Sequence, residues 1–183
     1  MIHRPRLRGM SLRIVLTASL LVVLGRGAHG HAVINETSAV AGTFTFVTIR
    51  VTHGCGTQPT RELRVLIPDG VTRVSPRFDP AWKVEKRMRK LDAPYETETG
   101  LEITETVDQV IWSGGALPDG FYGEFQIRAL MPDESGRTLW FKTVQICDDG
   151  EIRWIETTSR PDQNPYELKE PAPFLKLVAK DAT

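Results

Sequence analysis

The sequence predicts an antiparallel β-sandwich. Three observations lead there: eight or nine short stretches of alternating or β-branched residues, turn signals such as Pro68-Asp69-Gly70 between them, and no convincing long helix. It contains no internal repeat and no low-complexity tract.

The first element in chain order lies outside that sandwich. Arg4, Arg6, Arg8 and Arg13 form a basic stretch, and Ile14 to Leu24 is an apolar run. Ala28 and Gly30 then place small residues at −3 and −1 of a cleavage bond, the pattern of a secretory signal peptide. Cutting one bond earlier would put His29 at −1, and cutting after Ala28 would put Arg26 at −3, so Gly30↓His31 is the favoured bond. The expected division is a signal peptide over 1–30 and one domain over 31–183, with histidine as the mature N-terminus. Such a histidine offers its α-amine and imidazole Nδ1 to one metal ion together.

The strands follow. Ala32 to Asn35 is a short segment before a polar turn that reaches Ala41-Gly42. Thr43 to Thr52 is the clearest strand, with Thr45, Val47, Ile49 and Val51 on one face and Phe44, Phe46, Thr48 and Arg50 on the other. His53-Gly54-Cys55-Gly56 ends it in a glycine-rich loop, and Leu63 to Ile67 is the second strand. Val71 to Phe78 is a third, which Pro76 confines to an edge or a break. Trp82 to Val84 starts another, but the charge run Lys83 to Arg89 reads as a solvated hairpin tip, and Leu91 to Thr99 as polar turn. Leu101 to Val107 and Gln109 to Trp112 are strands that lead into Ser113-Gly114-Gly115. Phe121 to Met131 alternates, with Phe121, Phe125, Ile127 and Ala129 on one face. Thr138 to Ile146 is one strand, and Cys147-Asp148-Asp149-Gly150 turns it into Glu151 to Glu156. Ser159 to Pro165 is loop, and Pro173 to Val178 is a last edge strand. Trp82, Trp112 and Trp140 are expected in the core.

Composition narrows the function. The whole chain has 23 basic and 23 acidic residues; removing the five arginines of 1–30 leaves 18 against 23, a net −5. That argues against a nucleic-acid partner, which needs a basic footprint. No second apolar run reaches the roughly 18–20 residues of a membrane span. Only His31 and His53 fall in the mature segment, so a three-histidine zinc site is impossible. HExxH, GxSxG, Walker A and Rossmann patterns are absent. The two cysteines, Cys55 and Cys147, are most simply a disulfide in an exported protein. It would close a loop of about 90 residues and contribute roughly 4–5 kcal/mol in the chain-entropy model. Two free thiols acting as soft metal ligands are the alternative.

Along most of the mature chain the residues resemble the YcnI-like copper-binding proteins of bacterial envelopes. The resemblance runs through His31-Ala32-Val33, Ala41-Gly42, Arg50-Val51 with His53-Gly54-Cys55, and Pro59-Thr60. It continues through Val65 to Pro68, Trp82-Lys83-Val84, Ile111 to Gly115, Glu124-Phe125 and Gly150 to Trp154. It implies an immunoglobulin-like sandwich that binds Cu(II) through the N-terminal histidine, a carboxylate and an adjacent tryptophan. His31 carries over to the brace and Trp154 to the tryptophan. Where other members have Val-Pro-x-Glu, this chain has Val51-Thr52-His53-Gly54, so the carboxylate is not matched. His53 is its natural substitute, since imidazole also suits Cu(II).

The expected function is therefore periplasmic or secreted Cu(II) storage, buffering or delivery without catalysis. Its partners would be copper and other periplasmic or membrane copper-handling proteins. Two alternatives stand beside it: a copper-dependent oxidative enzyme using His31 and His53, and a metal-free structural or adhesive sandwich.

Overall fold

Residues 30–97, 99–160 and 162–180 are described by a computed structural model, so the signal peptide expected over 1–30 lies outside the described residues except for Gly30. The described residues form twelve strands in three sheets. The first sheet has the order β1 (Val33–Ile34), β3 (Phe44–Val51), β8 (Gly123–Leu130), β5 (Thr72–Pro76). The second runs β11 (Glu151–Trp154), β10 (Thr143–Cys147), β4 (Thr60–Leu66), β7 (Glu102–Leu117), β6 (Lys83–Glu96). The third is β2 (Ser38–Val40), β12 (Phe174–Val178), β9 (Thr138–Trp140). No helix is long and apolar enough to cross a membrane among the described residues.

Period-2 patterning builds the sandwich. Val47, Ile49 and Val51 of β3 and Phe125, Ile127 and Ala129 of β8 face inward against Leu63 and Val65 of β4 and Val110 and Trp112 of β7. The Phe125 ring stands edge-on to Trp112 at 5.5 Å, joining the two main sheets. Phe121, expected on that same face, is 65% exposed because β8 begins only at Gly123. Leu139, Leu175 and Leu177 bring the third sheet into the same core.

Several expectations are corrected. The charge run over Lys83 to Arg89 is the body of a 14-residue strand and not a hairpin tip. β6 is the outer strand of its sheet, where exposed lysine and arginine are compatible with pairing and discourage further strand addition. The tip lies at Thr97 to Leu101, closed by the Leu101 carbonyl accepting from Thr97 N–H at 2.9 Å. The two strands expected over 101–112 are one, Glu102–Leu117. The single strand expected over Thr138 to Ile146 divides into β9 and β10, which belong to different sheets. At the division Phe141 N–H donates to Pro173 O, while Lys142 O accepts from Leu66 N–H. Leu139, Phe141, Thr143 and Gln145 are buried in unbroken alternation, so the period does not register the change of partner. β2 lies within the segment expected as a polar turn. β12 is central and not an edge, with β2 parallel on one side and β9 antiparallel on the other. Of the tryptophans expected in the core, Trp112 is buried, whereas Trp82 and Trp140 are half-buried against Phe125 and Phe174.

Candidate metal centre

β11 ends at Trp154, which pairs with Thr143 of β10. The indole is buried at 3% exposure, so its N–H needs an acceptor, and Gln145 Oε1 supplies it at 3.1 Å. The amide of Gln145, itself fully buried, donates from Nε2 to His53 O at 2.7 Å and to Thr60 Oγ1 at 2.8 Å. One side chain thus ties the tryptophan, the His53 backbone and the start of β4 together. Sequence reasoning missed Gln145. Its signal was present as the one amide at an inward position of Thr143-Val144-Gln145-Ile146-Cys147.

The Cys55–Cys147 disulfide is formed, with Cα atoms 6.0 Å apart, and it fastens the His53 loop to the β10–β11 hairpin. Asp119 Oδ1 accepts from Gly54 N–H at 3.0 Å and holds the same loop from the β7–β8 turn. The three expected site residues come together on this frame. His31 and His53 both stand edge-on to Trp154, at ring-centroid distances of 5.8 and 6.0 Å and interplanar angles of 84° and 76°. They open onto a cleft of about 440 Å³ that Ile152, Leu168, Lys169 and Glu170 also line.

Position 54 is closed to a side chain. A Cβ at Gly54 would lie 1.8 Å from Gln58 O, because the 54–58 loop folds back on itself through Cys55 N–H to Gln58 O at 3.1 Å. Position 54 has no room for a glutamate here. Gly54→Ala should therefore force the loop open and lower stability by roughly 1–3 kcal/mol, as overpacking does. An unchanged urea midpoint would contradict that geometry.

Glu170 is the carboxylate that does line the cleft, and sequence reasoning missed it. Its backbone is anchored by N–H donation to Glu156 Oε2 at 3.0 Å. No spacing marks it, since it lies 139 positions from His31 and arrives through the path of the tail. Among the described residues, no three His, Cys, Asp or Glu side chains converge as a ready-made metal cluster. The cleft brings two imidazoles together instead, those of His31 and His53, beside the indole of Trp154. Were the bond before His31 cut, its main-chain nitrogen would become an amine able to chelate with its own imidazole. Nitrogen donors of this sort with open positions for oxygen suit Cu(II).

A family model described as a domain of unknown function, DUF1775, matches residues 31–177. Among solved structures, the chain is similar to an uncharacterized protein from Nocardia farcinica, whose crystal structure is described as revealing an immunoglobulin-like fold. The two are 24% identical, the match covers 81% of this chain and 98% of that one, and the TM-score is 0.59. The all-β architecture and this likeness bear out the immunoglobulin-like sandwich. No curated protein matches the chain.

Proposed function

We propose that this chain, which belongs to the DUF1775 family, is an exported Cu(II)-binding protein of the YcnI-like kind, serving storage, buffering or delivery and not catalysis. The observation that carries the reading is the placement of the His31 and His53 rings against one buried indole. The His31 α-amine and imidazole would form the chelate, His53 would add a nitrogen, and Glu170 or water would complete a tetragonal set. Trp154 would bound the site with its apolar face while Gln145 holds its N–H away from the ion. The disulfide supports an oxidising compartment, where such a bond persists. A family match that begins at His31 supports that residue as the first of the functional domain.

A titration tests this. The chain beginning at His31 should take up one Cu(II) per molecule by calorimetry, with quenching of tryptophan fluorescence at the same stoichiometry. Trp154→Phe should lose most of the quenching while keeping some affinity, because the indole adjoins the ion without ligating it. Heat and fluorescence that do not respond to Cu(II) would reject the reading in favour of a metal-free sandwich.

A further inference from the structure

His53 is held in a way that a metal ligand is not. Its Nδ1 contacts Gly54 O at 2.6 Å, and its Nε2 contacts Gly30 O at 2.5 Å. Both partners are carbonyl oxygens, which only accept. A neutral imidazole has one N–H, so it satisfies one of them and turns a lone pair on the other; a doubly protonated ring satisfies both and has no lone pair. In neither state is a nitrogen available to an ion. Gly30 is seated closely against this ring. A Cβ there would lie 2.7 Å from His53 Cδ2 and 2.7 Å from Thr52 Oγ1, so a larger residue would have to displace those side chains.

We infer that the Gly30 carbonyl masks His53, and that cutting the Gly30–His31 bond unmasks His53 Nε2 in the same event that creates the His31 α-amine. The step is a hydrolysis. Water adds across the amide, its oxygen going to the Gly30 carbonyl carbon to leave a carboxylate, and the His31 nitrogen gains hydrogen to become the amine. The departing Gly30 takes away the acceptor facing Nε2. The Gly54 acceptor stays, because position 54 belongs to the domain and is fixed by Asp119. With only that partner left, the proton resides on Nδ1 and donates to Gly54 O, leaving Nε2 with a free lone pair. That lone pair points where the Gly30 carbonyl stood, and the carbon of that carbonyl was bonded to the His31 nitrogen. Two nitrogen donors thus become available side by side from one cut. The uncut chain has neither, and would offer an ion only the His31 imidazole of these three nitrogens. The masking stands on geometry alone; its consequence for the metal rests on the copper reading proposed above.

The test uses the chain beginning at His31, whose core residues all lie between Ala32 and Leu177 and so do not need the leader. It is compared with the same chain acetylated at the His31 nitrogen, which restores a carbonyl where that of Gly30 stood. Imidazole ¹⁵N spectra of the metal-free proteins are recorded at one pH. In the free-amine form His53 should show a protonated Nδ1 and a bare Nε2. In the acetylated form Nε2 should show hydrogen bonding or protonation. Identical His53 spectra in the two forms would overturn the inference, whether or not copper binds. Cu(II) is then added to both. Two imidazole couplings by electron paramagnetic resonance in the free-amine form, falling to one in His53→Ala, would support the ligand assignment. Two in the acetylated form would overturn the masking. Distinct His53 spectra with no Cu(II) uptake by either form would support the masking and reject the copper reading separately.

Discussion

Replacing His31 with alanine should lower Cu(II) affinity by about 100-fold or more, equivalent to ~2.8 kcal/mol. The substitution keeps the α-amine and deletes the imidazole that closes a chelate ring with it, so the ion is left on separate donors that no chelate ring joins. His53→Ala should be milder, because His53 adds one donor to a chelate that already exists and water or the cleft-lining Glu170 can take its position. The order of the two effects is the informative quantity. Calorimetry at equal protein concentration gives it directly, and the resonance spectrum identifies which imidazole was lost. Binding unchanged in His31→Ala but abolished in His53→Ala would invert the assignment and remove the N-terminal residue from the site. Both variants should fold, since His31 and His53 are half-buried on the rim and neither belongs to the hydrophobic core.

Breaking the Cys55–Cys147 bond lowers stability by roughly 4 kcal/mol, and the melting temperature by roughly 8–16 °C for a domain of this size. The two cysteines are 92 positions apart, so the link removes much of the freedom of the unfolded chain. Its local role compounds this. Gly54 N–H on Asp119, the Gln145 amide on His53 O and Asp149 N–H on Gln58 Oε1 are hydrogen bonds that also hold the His53 loop. With the disulfide reduced, the loop keeps only its hydrogen bonds, and copper affinity should fall together with the melting temperature. Thiol labelling without reductant should find no free cysteine, and a reduced protein melting at the same temperature would show that the loop needs no covalent tie. Cys55→Ala with Cys147→Ala gives the same comparison without reductant, which would also reduce Cu(II).

The strands and the site differ in how much of each could be read along the chain. β3 was legible because alternation is a local property and one face of a sandwich strand is buried; Val47, Ile49 and Val51 face the core as their spacing requires. Pro76 was legible as an edge marker, and β5 is an outer strand. The hairpin at Cys147 to Gly150 was legible from its turn residues, and Gly150 O accepts from Cys147 N–H at 3.0 Å. Side-chain alternation specifies a face, however, and is silent about the hydrogen-bonding partner. Hence Thr138 to Ile146 reads as one strand although its two halves serve different sheets, and Lys83 to Arg89 reads as a hairpin tip although its backbone pairs with β7.

For the candidate site, the chain alone determined the donor types. Gly30, the histidine after it, one other histidine in the residues that follow and two cysteines can be counted without a fold. Only the tertiary structure decided how they meet. It placed a glutamine 92 positions from His53 between that residue's carbonyl and Trp154, and closed position 54 to any side chain through Gln58 O. It also set the Gly30 carbonyl on His53 across 23 positions of sequence. The physical reason is common to all three. A hydrogen bond or a steric limit depends on which atoms approach within about 3 Å, and that is fixed by sheet pairing and loop path rather than by residue type.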